Sequence, residues 1–263
     1  MLSQKELKLF TSLKKKKYRE QEKLFMVEGY HNVEECLKSK YIIERIVISE
    51  VTNQNHYNSI QSLAAKKRIQ LDYLKEHKFQ KLVETQNSQG IIAVVHKELN
   101  YKIDLNNAYL IVALDEINDP GNLGTILRTS YWFNVDYLLL SSNCVDLYNS
   151  KVIRSSQGAI FHLKILENVD LMTELQNLNN DGFDVFLLDL KTSKLLDSIN
   201  FKNKNIFVFG NESTGISKEL LNLNFEKIKI KGYSQCESLN VSISTAITLS
   251  YYKTLISKFD LSH

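Results

Sequence analysis

Three runs in the second half of the chain are apolar at every position: residues 109–114, 137–140 and 206–209. A strand with one wet face alternates apolar and polar side chains, whereas a strand covered on both faces needs no alternation. Such runs, separated by segments of helical spacing, restrict this half to a mostly parallel sheet between helices, an α/β architecture. Strands are expected over 109–114, 137–141, 161–166, 185–190, 206–209 and 227–230. Helices are expected over 122–133, 150–157, 171–179 and 218–223, with a long one from about 238 to 258. The first 95 residues alternate on a smaller scale. Helices are expected over 3–19, from Gly29 onward, and over 60–67 and 75–85, with strands at 24–27, 45–48 and 90–95. A polar stretch with Asn100, Asp104, Asn106 and Asn107 separates the halves. The expected division is a small α/β domain over 1–97, a linker over 98–108 and a larger domain over 109–263.

Proline occurs once, at Pro120, and glycine nine times, so most turns fall to Asn, Asp and Ser. Five of the glycines, Gly121, Gly124, Gly210, Gly215 and Gly232, lie in three short segments of the second half, which directs the search for chemistry there.

The formal net charge is only +3, so any nucleic-acid surface must come from local clustering. Residues 1–24 hold such a cluster, eight Lys and Arg against three Glu, with the run Lys14, Lys15, Lys16, Lys17 and then Arg19. A solvated helix face and a patch for RNA phosphates are both compatible with it. Cys36, Cys144 and Cys236 are far apart and form no C-x-x-C pair, so neither a metal site nor a disulfide framework is expected. The six histidines lie outside the three segments. The chain opens without an apolar leader and holds no run long enough to span a bilayer, which points to a soluble cytoplasmic protein rather than a membrane one.

The first segment is Asn118-Asp119-Pro120-Gly121-Asn122-Leu123-Gly124 followed by Arg128, a strand passing through a Pro-Gly turn into a helix. Asn122 stands where a helix cap belongs, and Leu123, Ile126, Leu127 and Tyr131 share one apolar face. The third glycine of a dinucleotide fingerprint is missing, as is the acidic residue about 20 positions on, so an oxidoreductase is a poor fit. In the second segment, Phe209-Gly210-Asn211-Glu212-Ser213-Thr214-Gly215-Ile216, a buried strand ends in a glycine, where backbone can come close to a ligand. Asn211 and Glu212 then project from the carboxyl edge of the sheet. The third runs from Ile230 through Glu237-Ser238-Leu239-Asn240-Val241-Ser242, where Ser238 or Asn240 can cap the last helix, its apolar face continuing through Ile243, Ala246 and Ile247. Taken singly, each segment also reads as an ordinary turn.

In this order and spacing the three segments resemble motifs one, two and three of the SpoU/TrmH family of the SPOUT superfamily, over roughly residues 109–256. Residues 149–159, with Arg154, look like the family's Arg-Ala-Ser-x-Gly-Ala region. Residues 25–30 and the helix after them are similar to its ribosomal-protein-like substrate-binding domain. The resemblance implies an S-adenosylmethionine-dependent methyltransferase acting on a ribose 2′-hydroxyl of RNA, ribosomal rather than transfer RNA, and no DNA. It further implies a deep trefoil knot in the catalytic domain and a homodimer whose active site combines residues from both subunits. By position, Gly210, Ile230 and Leu239 would hold the cofactor, while Asn122, Arg128, Glu212, Ser238 and Asn240 would shape the catalytic pocket. Lys14–Lys17, Arg19 and Arg154 would meet RNA. Two positions depart from the pattern: Lys231 stands in place of proline and Ser234 in place of glycine. A transfer-RNA methyltransferase and a non-catalytic RNA-binding relative of the same fold are the alternatives.

Overall fold

A computed structural model describes residues 2–85, 88–97 and 101–260, side chains of 257–260 excepted. Residues 98–100 of the expected linker and 261–263 of the expected second domain lie outside the described residues. In chain order the elements begin with α1 (Gln4–Ser12), α2 (Lys16–Glu22), β1 (Leu24–Glu28), α3 (Tyr30–Lys38), β2 (Ile43–Ser49), α4 (Gln54–Lys67), β3 (Leu71–Leu74), α5 (Glu76–Phe79) and β4 (Ile91–His96). They continue with β5 (Leu110–Leu114), α6 (Pro120–Trp132), β6 (Tyr137–Ser141), α7 (Ser150–Ser156), β7 (Ile165–Val169), α8 (Leu171–Asn180) and β8 (Asp184–Leu188). The last are β9 (Asn205–Phe209), α9 (Lys218–Leu221), β10 (Glu226–Ile228) and α10 (Val241–Asp260).

The described residues pack as two units: Met1–Leu99 with Tyr148–His162, and Asn100–Leu147 with Leu163–His263. The division differs in one place from the expected one, because α7 and its flanks pack with the first unit. Tyr148 lies against Phe25 (ring centroids 4.4 Å apart), and His162 Nε2 sits 2.8 Å from Glu35 Oε2. Gly158 marks the closeness of this contact: at φ +85° it sits where an added Cβ would fall 2.6 Å from Glu35 Cγ.

The first unit is built on a four-stranded sheet in the order β1-β4-β2-β3, with β1 and β2 antiparallel to β4 and β3 parallel to β2. Two sequence expectations fail here, and one element is new. The helix expected over 3–19 is two helices, broken where Leu13 turns into the core. Across the break Arg19, only 6% exposed, donates from Nη1 to the carbonyls of Leu13 (2.8 Å) and Lys14 (2.9 Å). Of the helix expected over 75–85 only α5 forms, while Phe79, Leu82 and Val83 all enter the core. The short β3 was not anticipated at all.

The second unit holds six strands in the order β10-β8-β9-β5-β6-β7, every neighbouring pair parallel. β5 and β9 are buried along their whole length, as the apolar runs 110–114 and 206–209 require, with Asn205 buried at the start of β9. The chain steps from β5 to β6 and β7 on one side, then crosses to build β8, β9 and β10 on the other. The direction of winding therefore reverses beside β5, and in open parallel sheets the carboxyl ends of the strands at such a reversal are where ligands bind. The strand expected over 161–166 begins only at Ile165, since residues 159–161 form a turn of 3₁₀ helix. No helix among the described residues is long and apolar enough to cross a membrane.

Arg19 and its exposed neighbour Lys16 should separate in a stability measurement. Arg19→Met leaves two carbonyls without their donor and should lower the unfolding free energy by about 1–3 kcal/mol. Lys16→Gln should change it by no more than about 0.5 kcal/mol. Urea titrations check both, and equal effects would contradict the packing role of Arg19.

Candidate active site

Parallel pairing of β5 with β9 brings the first two segments together. Leu114 lies opposite Phe209, and the next residue, Asp115, donates its N–H to the Phe209 carbonyl at 2.8 Å. The chain leaving β5 is braced from β9: Asn211 Nδ2 donates to the Glu116 carbonyl (2.8 Å), and Asp115 Oδ2 accepts from the Ser217 N–H (2.8 Å). Glu116 sits at φ +59°, a conformation that costs a non-glycine residue about 1–3 kcal/mol. Three hydrogen bonds hold it there, since its N–H also reaches Ser141 Oγ (2.9 Å) and its carboxylate accepts from Asn143 Nδ2 (2.7 Å).

The second loop turns back on itself, Asn211 and Gly215 exchanging backbone hydrogen bonds of 2.9 and 3.0 Å. Gly210 is required by this turn, because a Cβ there would fall 2.3 Å from the Gly215 carbonyl carbon and from Ile216 N. Its lack of a side chain serves the chain's own packing, a reason the sequence did not reveal.

The helix that follows β5 starts earlier than its apolar spacing suggested. Asp119, not Asn122, is the cap of α6: its side chain accepts from Asn122 N at 2.8 Å, and Pro120 fills the first helical position, where its fixed φ suits the helix and its missing N–H costs nothing. Asn122 is thereby released for another role. Its Nδ2 donates to Glu212 Oε1 at 2.9 Å, and its Oδ1 accepts from Asn240 Nδ2 at 2.9 Å. Asn240 caps α10, its Oδ1 accepting from Ser242 N (2.8 Å) and Ser242 Oγ (2.6 Å). The direction of the chain is fixed at both ends. A backbone N–H only donates and a carboxylate only accepts, so each amide has one orientation that satisfies both neighbours. Glu212 also faces the N–H groups of Asn118 and Asp119, both at 3.4 Å, just before the positive end of α6. Side chains 90 and 118 residues apart in sequence thus form one relay.

Residues 231–240 are exposed throughout. Among the described residues, the backbone groups of Gly210, Ile230 and Leu239 make no hydrogen bond within the protein, so their donors and acceptors are open. Such a set fits a cofactor recognised through backbone contacts. Ser238 does not enter the relay; its carbonyl accepts from Cys236 Sγ at 3.3 Å. Arg128 is exposed on α6, on the side opposite the buried Leu123, Ile126 and Leu127, with no hydrogen-bond or ionic partner among the described residues. Tyr131, expected on the buried face, is half exposed, and Ser130 is buried in its place.

The basic residues singled out in the sequence divide. Lys15, Lys16 and Lys17 are exposed. Lys14 donates from Nζ to the carbonyls of Lys81 (2.9 Å) and Val83 (2.8 Å), and Arg19 is spent inside the fold, so neither is free to meet phosphate in this conformation. Arg154 is half-buried on α7, in the first unit, and its Nη1 has no hydrogen-bond partner among the described residues. On α3, His31, Glu34 and Glu35, at a spacing of three and four residues, bring ligand-type atoms within 4.8 Å of one another. Lys38 already bridges both carboxylates at 3.1 and 2.9 Å.

Comparison with known proteins agrees with this geometry. Residues 109–250 match the SpoU rRNA methylase family, and residues 4–93 match the MRM3-like substrate-binding domain. The chain is 31% identical over 247 residues to the 23S rRNA (guanosine(2553)-2′-O)-methyltransferase RlmP of Bacillus subtilis, covering 94% of this chain and 95% of that protein. It superposes on a Porphyromonas gingivalis structure assigned to the TrmH family of RNA methyltransferases with a TM-score of 0.85, at 28% identity over 96% of this chain and 98% of that one. An rRNA methyltransferase from Sinorhizobium meliloti, solved with S-adenosylmethionine bound, shares the fold at a TM-score of 0.80 and 23% identity, over 95% and 94% of the two chains. With both halves matched and the three segments joined by one relay, the chain belongs to the SpoU rRNA methylase family.

Proposed function

We propose that this protein transfers a methyl group from S-adenosylmethionine to a ribose 2′-hydroxyl of ribosomal RNA. The observation that carries the reading is the Asn240–Asn122–Glu212 relay, which fastens all three segments together at the carboxyl edge of the sheet. The cofactor supplies an electrophilic methyl group on a good leaving group, so the protein's work is positioning and proton removal. Holding two reactants in attack geometry is worth roughly 7–11 kcal/mol of the barrier. Gly210, Ile230 and Leu239 grip the cofactor through their open backbone groups, and Asn122, Glu212, Ser238 and Asn240 shape the pocket beside it.

Arg128 holds the phosphate next to the target ribose through paired N–H donors and favours the developing alkoxide. A guanidinium is a poor base because it stays protonated, so the proton leaves to that phosphate or to water. Lys15, Lys16 and Lys17 add phosphate contacts that fix the RNA without reading its sequence. The name of the Bacillus subtilis relative and the matched substrate-binding domain both favour ribosomal over transfer RNA. The cytoplasm is the matching location.

The working form is a homodimer. Ile243 and Ile247 are 48% and 38% exposed and lie one turn apart on the outer face of α10, beside exposed Leu239. On α6, which packs against α10, Trp132 is exposed one turn beyond Arg128. A helix pair with this much apolar surface in water suits a two-fold partner, and an outward Arg128 suits a site completed across that axis. The family's trefoil knot is carried over on the likeness of fold along nearly the whole chain.

Arg128→Ala should lower kcat for methyl transfer about 10²–10³-fold with little change in S-adenosylmethionine affinity. Arg128→Lys should recover only a small part, because an ammonium lacks the planar fork; near-full turnover would contradict the clamp. Ile247→Asp should turn a dimer into a monomer in sedimentation equilibrium at micromolar protein and lose transfer with it. A wild-type protein that sediments as a monomer would refute the dimer.

A further inference from the structure

The loop from Lys231 to Asn240 carries one feature that neither the relay nor the cofactor site uses. Tyr233 is 87% exposed, and the Lys231 ammonium lies 5.2 Å from its ring centroid. An ammonium over one face of the ring is attracted by its quadrupole and holds the ring in place, while the opposite face stays open to solvent. The position is informative. Six residues after Tyr233 comes Leu239, and the next, Asn240, bonds directly to Asn122. The tether between them, at most roughly 25 Å when extended, keeps an aromatic face and a positive charge on the same loop as the relay. Lys231 stands where the family resemblance calls for proline.

We infer that Tyr233, steadied by Lys231, is a stacking platform for an unpaired RNA base next to the ribose that is methylated. A ribose inside a paired A-form helix is poorly placed for attack, and proteins that read unpaired RNA stack its splayed bases on aromatic rings. Every base presents a π face, so the platform tolerates any neighbour and adds affinity rather than sequence choice. The Lys231 ammonium adds a positive charge beside the platform. The assignment rests on the RNA methyltransferase reading and adds a substrate contact to it.

The test uses the full-length protein, ribosomal RNA transcribed in vitro and S-adenosylmethionine labelled in its methyl group. Tyr233→Ala should raise KM for RNA about tenfold, leaving the S-adenosylmethionine Kd and the sedimentation coefficient unchanged. Tyr233→Phe, which keeps the π face, should stay within about twofold of wild type. An unchanged KM in the alanine variant would overturn the platform. So would a loss of cofactor affinity in step with KM, which would place the ring in the cofactor loop, or a change in sedimentation, which would make it a protein contact. Wild-type protein that transfers no label to RNA would sink the methyltransferase reading itself, a separate outcome from a variant that matches an active wild type.

Discussion

The parallel pairing of β5 with β9 decides where this protein can do chemistry. Both strands are fully buried, and the direction of winding reverses between them, so their carboxyl ends deliver two loops to one edge of the sheet. Asp115, Glu116, Asn211 and Ser217 then bind the loops to each other with hydrogen bonds near 2.8 Å. The left-handed backbone at Glu116 persists because these contacts over-determine it. The third loop joins through α10, whose cap, Asn240, is at once a helix device and a link in the relay.

A single neutral hydrogen bond adds only about 0.5–1.5 kcal/mol to stability. The value of the relay is geometric. Two amides held between a backbone donor and a carboxylate acceptor cannot flip without losing bonds on both sides. The pocket wall is therefore set before any ligand arrives, which is the condition under which positioned groups lower a barrier most. Other side chains are placed differently: Arg128, Trp132, Ile243 and Ile247 face away from the core, exposed on α6 and α10.

Much of this was legible in the sequence because each signal had a local cause. Unbroken apolar runs gave the parallel sheet, and the order of the three segments gave the family and the candidate pocket. What escaped depended on contacts that only the folded backbone creates, some between residues a few positions apart and some between distant parts of the chain. Asn122 has the chemistry of a cap, and only the fixed φ of Pro120 moves the cap to Asp119 and frees it. Gly210 looked like a point of ligand approach, yet its tightest neighbours are Gly215 and Ile216. Arg19 looked like one more cation in a basic run, but the helix break at Leu13 needed its guanidinium. No charge count distinguishes such an arginine from Lys15–Lys17. The segment 148–162 likewise carries no mark of packing with the first unit, since its partners Phe25 and Glu35 lie more than a hundred residues earlier.

The most direct measurement incubates the purified protein with unmodified ribosomal RNA and S-adenosylmethionine labelled in its methyl group, then hydrolyses the RNA in alkali. A methyl group on a ribose 2′-oxygen blocks cleavage of the adjoining phosphodiester, so the label should be recovered in alkali-resistant dinucleotides. Label recovered in mononucleotides would mean a methylated base, and RNA that stays unlabelled would mean no transfer. Either result would contradict the account.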